Sequence, residues 1–188
     1  MALYVFLGGI SSGKSEAAEN FALKLRGDLS CDHSPKQSSH QQSVPEISIC
    51  VFGNEDSKDE EFLEKIKAHK AKRNPLIKTL YCYEEPLEAI KRQAQDEILI
   101  LDDLSTALSC FMEHDCPQQE KCWETLIDYL IARAGDTIIV SAELGLSFVP
   151  CDKELRAYQK RLALANQKLV RAAKTAYFVI AGKSFVLS

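Results

Sequence analysis

The sequence predicts an α/β fold, a mostly parallel wound sheet flanked by helices. Three observations predict it. Short aliphatic runs, Ile98 to Leu101 and Thr137 to Val140 among them, lack polar alternation and suit strands buried on both faces. Segments with helical periodicity stand between such runs. The first strand candidate also passes through a glycine turn straight into a helix.

With 188 residues the chain is long enough for one domain, spanning 1–188, with a sizeable core. A hydrophobic fraction of 46% with 27% charged residues places it among globular proteins. The net charge of −4 gives no electrostatic reason to expect a nucleic-acid partner, and an anionic substrate needs a local positive site. The seven cysteines form no CxxC pair, which reads as reduced thiols, mostly small core residues. The four histidines lack ligand spacing with one another or with the cysteines, so no His/Cys metal site is expected. The apolar start, Leu3 to Leu7, is too short to cross a bilayer and lacks the basic flank of a signal peptide. The expectation is a cytoplasmic protein without a membrane span.

In order, Ala2 to Leu7 read as a buried strand, Gly8 to Ser15 as the glycine turn, and Lys14 to Leu25 as a helix with Ala17, Ala18, Phe21, Ala22 and Leu25 on one face. Ser30 to Glu46, rich in Ser and Gln with two prolines, cannot bury enough surface to offset ordering and reads as a long mobile loop. Ile47 to Phe52 form a strand, and Asp59 to Lys72 a helix that ends before Pro75. Leu76 to Tyr83 are strand-like, and Pro86 to Gln95 suit a helix opened by proline. After the Ile98 to Leu101 strand come helices at Leu104 to Met112 and Trp123 to Ala134, then the Thr137 to Val140 strand. Asp152 to Ala173 form the longest helix. Its stripe of Leu155, Tyr158, Leu162, Ala165 and Leu169 suits packing on the sheet or on a neighbouring subunit. Ala176 to Ala181 and Phe185 to Leu187 close the chain as a hairpin around Gly182.

The stretch GGISSGKS, Gly8 to Ser15, matches the P-loop pattern G-x-x-x-x-G-K-[ST]. Glycines let the backbone curl so that the N–H groups of Gly8, Gly9, Ile10, Ser11, Ser12 and Gly13 can face one anion. The helix that follows adds the positive end of its dipole. Lys14 can reach the β- and γ-phosphates of ATP or GTP, and Ser15 can hold Mg²⁺. Asp102 follows ILIL and emerges at the carboxyl end of a strand, where open α/β sheets bind ligands, so it is the favoured second metal ligand. Its neighbour Asp103 leaves that assignment open, as does a helix-capping role for either carboxylate.

Further stretches resemble, in the same order, the bifunctional adenosylcobinamide kinase/adenosylcobinamide-phosphate guanylyltransferase family. GGISSGKSEAAE looks like that family's GGARSGKS-x-x-A-E start, and DEEFLEKIKAHKAKR, Asp59 to Arg73, resembles its D-x-E-M-x-x-R-I-x-x-H-[RK] segment. EEP at Glu84 to Pro86, ILILDDLS, SAELGLSFVP at Ser141 to Pro150, and the Arg161 to Gly182 segment are similar to later family motifs. The resemblance implies a RecA-like P-loop NTPase fold and a homotrimer. It implies two reactions of cobalamin assembly: phosphorylation of adenosylcobinamide with ATP or GTP, then transfer of GMP from GTP through a guanylylated histidine. The aligned histidine is His69, whose neutral imidazole is nucleophilic near neutral pH. Lys70, Lys72 and Arg73 supply positive charge for the phosphates. Glu143, just past a strand on the ligand side, and Glu85, before Pro86, are further candidate nucleotide contacts.

The chain departs from the family pattern at Ile10 and Ser11, where Ala and Arg are usual, at Asp103 for Cys, and at Ala142 for Asn. The P-loop and His69 are intact. Two alternatives stand beside the bifunctional enzyme: a single-activity P-loop kinase acting on a small alcohol, and a non-catalytic nucleotide-binding regulator.

Overall fold

The computed structural model describes residues 2–27, 46–52, 74–82, 86–93, 97–113, 119–146 and 149–187. Seven strands form one sheet: β1 (Leu3–Gly8), β2 (Ile47–Phe52), β3 (Lys78–Cys82), β4 (Ile98–Asp102), β5 (Thr137–Ala142), β6 (Thr175–Ile180) and β7 (Lys183–Val186). Their order across the sheet is β3-β2-β4-β5-β1-β6-β7, parallel throughout except for the antiparallel β6–β7 pair. The helices are α1 (Lys14–Arg26), α2 (Pro86–Lys91), α3 (Leu104–Glu113), α4 (Gln119–Ala132) and α5 (Lys153–Ala172). The predicted wound, mostly parallel sheet with a closing hairpin is the fold observed.

The central strands β1, β4 and β5 are buried along their whole length. Their alternate side chains feed two cores, as a pleated strand requires. Leu3, Val5 and Leu7 point into one core with Leu99, Leu101 and Ile139, where α2 to α5 contribute Ile90, Leu108, Leu126 and Leu169. Tyr4 and Phe6 point the other way, toward Ala18, Ala22 and Leu23 of α1. There Phe21 meets Tyr4 edge-on, with ring centroids 4.7 Å apart, and Phe6 stacks on Tyr177 at 4.6 Å. Each fully buried Leu or Ile contributes about 1.5–3 kcal/mol relative to exposure.

Several boundaries differ from the sequence reading, each for a local reason. Helix α4 starts four residues earlier than Trp123, because its first turn is polar and exposed at Glu120 and Lys121 and carries no apolar period. It stops at Ala132 because Arg133 turns inward, donating to the carbonyls of Glu97 (2.9 Å) and Asp136 (3.2 Å). Helix α2 ends at Lys91, short of the predicted Gln95. Leu76 lies in a turn rather than a strand, its N–H bonded to the Asn74 side chain at 2.9 Å. Asp152 and Ala173 cap α5 from outside, the Asp152 carboxylate accepting from the Leu155 N–H at 2.8 Å. Leu155 itself is half exposed, so the packed stripe of α5 begins at the partly buried Tyr158. The hairpin turn is Ala181–Gly182, both at positive φ (49° and 76°), which suits the right-handed twist of the strands. Pairing therefore resumes at Lys183, two residues before the predicted Phe185. Cys50 and Cys82 are buried as expected, whereas Cys110 and Cys122 are only partly buried and Cys151 is exposed. The predicted loop at 30–46, except Glu46, and the predicted helix at 59–72 lie outside the described residues.

Candidate functional site

In the sheet order β4-β5-β1-β6 every strand runs the same way, so four carboxyl ends meet at one edge. Gly8 ends β1, and the chain then turns tightly into α1. The turn requires its glycines. A Cβ on Gly8 would lie 2.5 Å from the Val179 carbonyl oxygen and 2.6 Å from Ser12 Oγ. Gly13 sits at φ 91°, and a Cβ there would meet Gly182 Cα at 3.2 Å. Ser11 also adopts positive φ, 56°, while Gly9 has open space around it and Ile10 is 83% exposed.

Several carbonyl oxygens of this loop already have hydrogen-bond partners. Gly8 O accepts from the Glu143 N–H (3.1 Å), and Gly9 O accepts from the Ser12 N–H (3.3 Å). Ser12 O accepts from the Gly182 N–H (2.8 Å), and Gly13 O accepts from the Ala17 N–H (3.0 Å), the first bond of α1. The N–H groups of Lys14, Ser15 and Glu16 precede that first bond and have no helical carbonyl to reach. Those three amides offer an anion donors at the positive end of a helix dipole.

Lys14 folds back over the loop, largely buried, its Nζ donating to Gly9 O at 3.3 Å. Ser15 Oγ donates to Asp102 Oδ1 at 2.8 Å, joining the start of α1 to the end of β4. The two adjacent carboxylates have different partners. Asp102 faces the loop. Asp103 Oδ1 accepts from the Thr106 N–H (2.7 Å), Ser105 Oγ (2.7 Å) and Thr106 Oγ1 (2.8 Å), which caps the start of α3. Tyr158 donates to the Ser105 carbonyl oxygen at 2.8 Å; burial raises its phenol pKa, so it stays a neutral donor. Glu143 follows β5 beside the loop, but its carboxylate accepts from the Gly145 N–H at 2.7 Å and so closes a local turn.

Gly8, Gly9, Ile10, Ser11, Ser12, Gly13, Lys14, Ser15, Asp102 and Glu143 thus gather at one end of the sheet. His69, Lys70, Lys72, Arg73 and Glu85 lie outside the described residues. Among the described residues no group of three or more His, Cys, Asp or Glu side chains converges, and no helix is long and apolar enough to cross a membrane.

Sequence reasoning missed two supports of this site. Asn166 on α5 is buried. It accepts from Ser141 Oγ (2.7 Å) and donates to the Ala142 carbonyl oxygen (3.0 Å), clamping the end of β5 one residue before Glu143. A polar residue inside the buried run Leu162, Ala165, Leu169 is the signal that could have exposed it. The second support is the hairpin turn, whose contact with the loop spans 170 residues and leaves no local trace.

Comparisons with known proteins point to one family. The family profile described as cobinamide kinase / cobinamide phosphate guanyltransferase (CobU) matches residues 42–187, a span that begins after the glycine loop. A curated relative, the bifunctional adenosylcobalamin biosynthesis protein CobP of Pseudomonas aeruginosa, is 26% identical over 183 residues, covering 95% of this chain and 92% of that protein. Among solved structures, the flagellar accessory protein FlaH from Methanocaldococcus jannaschii matches with a TM-score of 0.46 and 11% identity, over 100% of this chain and 78% of that one. A KaiC-like protein from Pyrococcus horikoshii matches with a TM-score of 0.44 and 12% identity, over 94% and 70%.

Proposed function

The chain belongs to the cobinamide kinase / cobinamide phosphate guanyltransferase family, and on that premise we propose that it phosphorylates adenosylcobinamide and then transfers GMP to the phosphate through a guanylylated His69. The observation that carries the nucleotide half is the loop itself, with bonded carbonyls, unbonded helix-start amides and Lys14 folded across it. In the kinase step the loop amides and Lys14 hold the β- and γ-phosphates of ATP or GTP; the acceptor hydroxyl attacks the γ-phosphorus, the bond to the β–γ bridging oxygen breaks, ADP or GDP leaves, and the hydroxyl proton passes to water. In the transfer step a ring nitrogen of His69 attacks the α-phosphorus of GTP and pyrophosphate leaves. An oxygen of adenosylcobinamide phosphate then attacks the same phosphorus, the N–P bond breaks, and adenosylcobinamide-GDP is released.

Ser15 Oγ and Asp102 Oδ1, 2.8 Å apart, are hard oxygen donors of the kind Mg²⁺ takes alongside water and phosphate. Bound there, Mg²⁺ would neutralise charge on the phosphates. Lys70, Lys72 and Arg73 are assigned to the phosphates of the GMP-transfer step, and Glu85 and Glu143 to the nucleotide. The reading includes a cytoplasmic enzyme with small-molecule substrates, no nucleic-acid partner, and a homotrimer. Exposed Phe185, Val186 and Leu187 at the β7 edge are apolar surface that a subunit contact would cover.

The test is incubation with α-labelled GTP and Mg²⁺. Label should become bound to protein, survive base, leave in acid, and be absent from His69→Ala. Cobinamide phosphorylation without protein-bound label would reduce the protein to a single-activity kinase. Nucleotide binding without turnover of any cobinamide would make it a regulator.

A further inference from the structure

The outer strand of the C-terminal hairpin contributes nothing to the core. All four residues of β7 are exposed, and Ile180 at the end of β6 is 53% exposed. What the pair does fix is the place of its turn. The β6–β7 ladder runs up to the Ile180–Lys183 pair, and the Leu187 N–H bonds the Ala176 carbonyl at 2.8 Å. The turn so held touches the phosphate loop: the Gly182 N–H donates to Ser12 O at 2.8 Å, and Gly13 packs so closely that its absent Cβ would lie 3.2 Å from Gly182 Cα. Behind it, the Val179 carbonyl stands 2.5 Å from the Cβ that Gly8 lacks.

The Ser12–Gly13 peptide gives this contact its chemical meaning. In a planar trans peptide the C=O of one residue and the N–H of the next point in opposite directions. Holding Ser12 O outward against Gly182 turns the Gly13 N–H inward, toward the hollow of the loop. We infer that Gly182 is a positioning residue for phosphate binding, and that the hairpin turn presets the Gly13 amide as a donor to the nucleotide's phosphates. The inference rests on the reading of GGISSGKS as a phosphate loop.

Gly182 offers a clean perturbation. Nothing lies within 4 Å of a Cβ added there, so a Cβ meets no clash and the positive φ of 76° is the constraint that a substitution meets first. Asn tolerates that backbone region, whereas a β-branched residue does not. Dissociation constants for GTP and for inorganic tripolyphosphate are measured by calorimetry on the full chain, parent, Gly182→Asn and Gly182→Val, each checked as folded by circular dichroism. Gly182→Val should weaken both ligands at least tenfold, and Gly182→Asn should stay within threefold of the parent. Equal binding by a folded Gly182→Val would overturn the inference, while a parent that binds neither ligand would instead overturn the phosphate-loop reading. A second measurement needs no variant: the Gly13 amide resonance of the parent should move downfield as tripolyphosphate is added. A Gly13 amide that stays put while ligand binds would overturn the inference even if Gly182→Val fails to fold.

Discussion

Replacing Asn166 by Ala tests whether the buried clamp on β5 is a main support of the fold. Ser141 is fully buried and Asn166 is 3% exposed, so water cannot replace the lost amide. The substitution strands the Ser141 hydroxyl, bonded at 2.7 Å, and removes the 3.0 Å donor to the Ala142 carbonyl. A buried polar group left without its partner costs about 1–3 kcal/mol. Two such groups together put the loss near ~4 kcal/mol, a large part of the ~5–15 kcal/mol that holds a native domain. At about 2–4 °C per kcal/mol for a chain of this size, the thermal midpoint should fall by roughly 8–16 °C. Urea denaturation followed by circular dichroism gives the free energy directly. The double variant Ser141→Ala/Asn166→Ala removes one stranded group along with its partner, so it should lose less than the sum of the singles, by about 0.5–3 kcal/mol. A loss under ~1 kcal/mol for Asn166→Ala, or strictly additive singles, would refute the reasoning.

Two further outcomes separate neighbouring roles at the site. Lys14→Ala should weaken GTP by about 10- to 150-fold in calorimetry, the worth of a charge-assisted hydrogen bond, and should leave the fold intact, because the contact of Nζ with Gly9 O is a long 3.3 Å. The paired carboxylates should part company. Asp103→Ala removes the cap of α3 and should cost about 0.5–2 kcal/mol in urea denaturation, whereas Asp102→Asn should change stability little and abolish the Mg²⁺ dependence of phosphoryl transfer. The reverse pattern would exchange their roles.

The part of the site built from consecutive residues was legible in the sequence, because its chemistry dictates residue types at fixed spacing. A turn that must bring its backbone amides to one point, followed by a helix, needs Gly8, Gly13, Lys14 and Ser15 where they stand. The four aliphatics before Asp102 likewise announced a strand buried on both faces, and Asp102 does end β4. What stayed illegible depends on partners distant in the chain or on conformations the residue type does not advertise. Ala181 gives no sign that it takes positive φ, so the hairpin register was read two residues late. The place of Glu143 beside the loop follows from its position after a strand, but the bond of its carboxylate to the Gly145 N–H is a matter of local hydrogen bonding that the residue type does not announce. Apolar spacing alone passes over a polar residue on the buried face, so Asn166 shows only through its place among Leu162, Ala165 and Leu169, and the exposed polar first turn of α4 leaves no such hint.

The loop's shape is set by elements that lie far from it in sequence. Curled alone, a glycine-rich segment would sample many conformations, since glycine loses more backbone freedom on ordering than any other residue. Here its carbonyls are held from several directions: Gly8 O by the residue after β5, Ser12 O by the hairpin turn, Gly13 O by the first turn of α1. Much of the ordering cost is therefore met when the chain folds, and a bound triphosphate need not supply it. The same arrangement makes phosphate affinity sensitive to remote changes. Loosening Asn166 frees the end of β5 and with it the Glu143 N–H on Gly8 O, while disturbing Gly182 frees Ser12 O. These two perturbations act on different carbonyls through separate elements, so their effects on GTP affinity should combine almost additively in the double variant, whereas Gly182→Val should be strongly non-additive with Gly13→Ala, which strains the Ser12–Gly13 peptide that the hairpin turn holds.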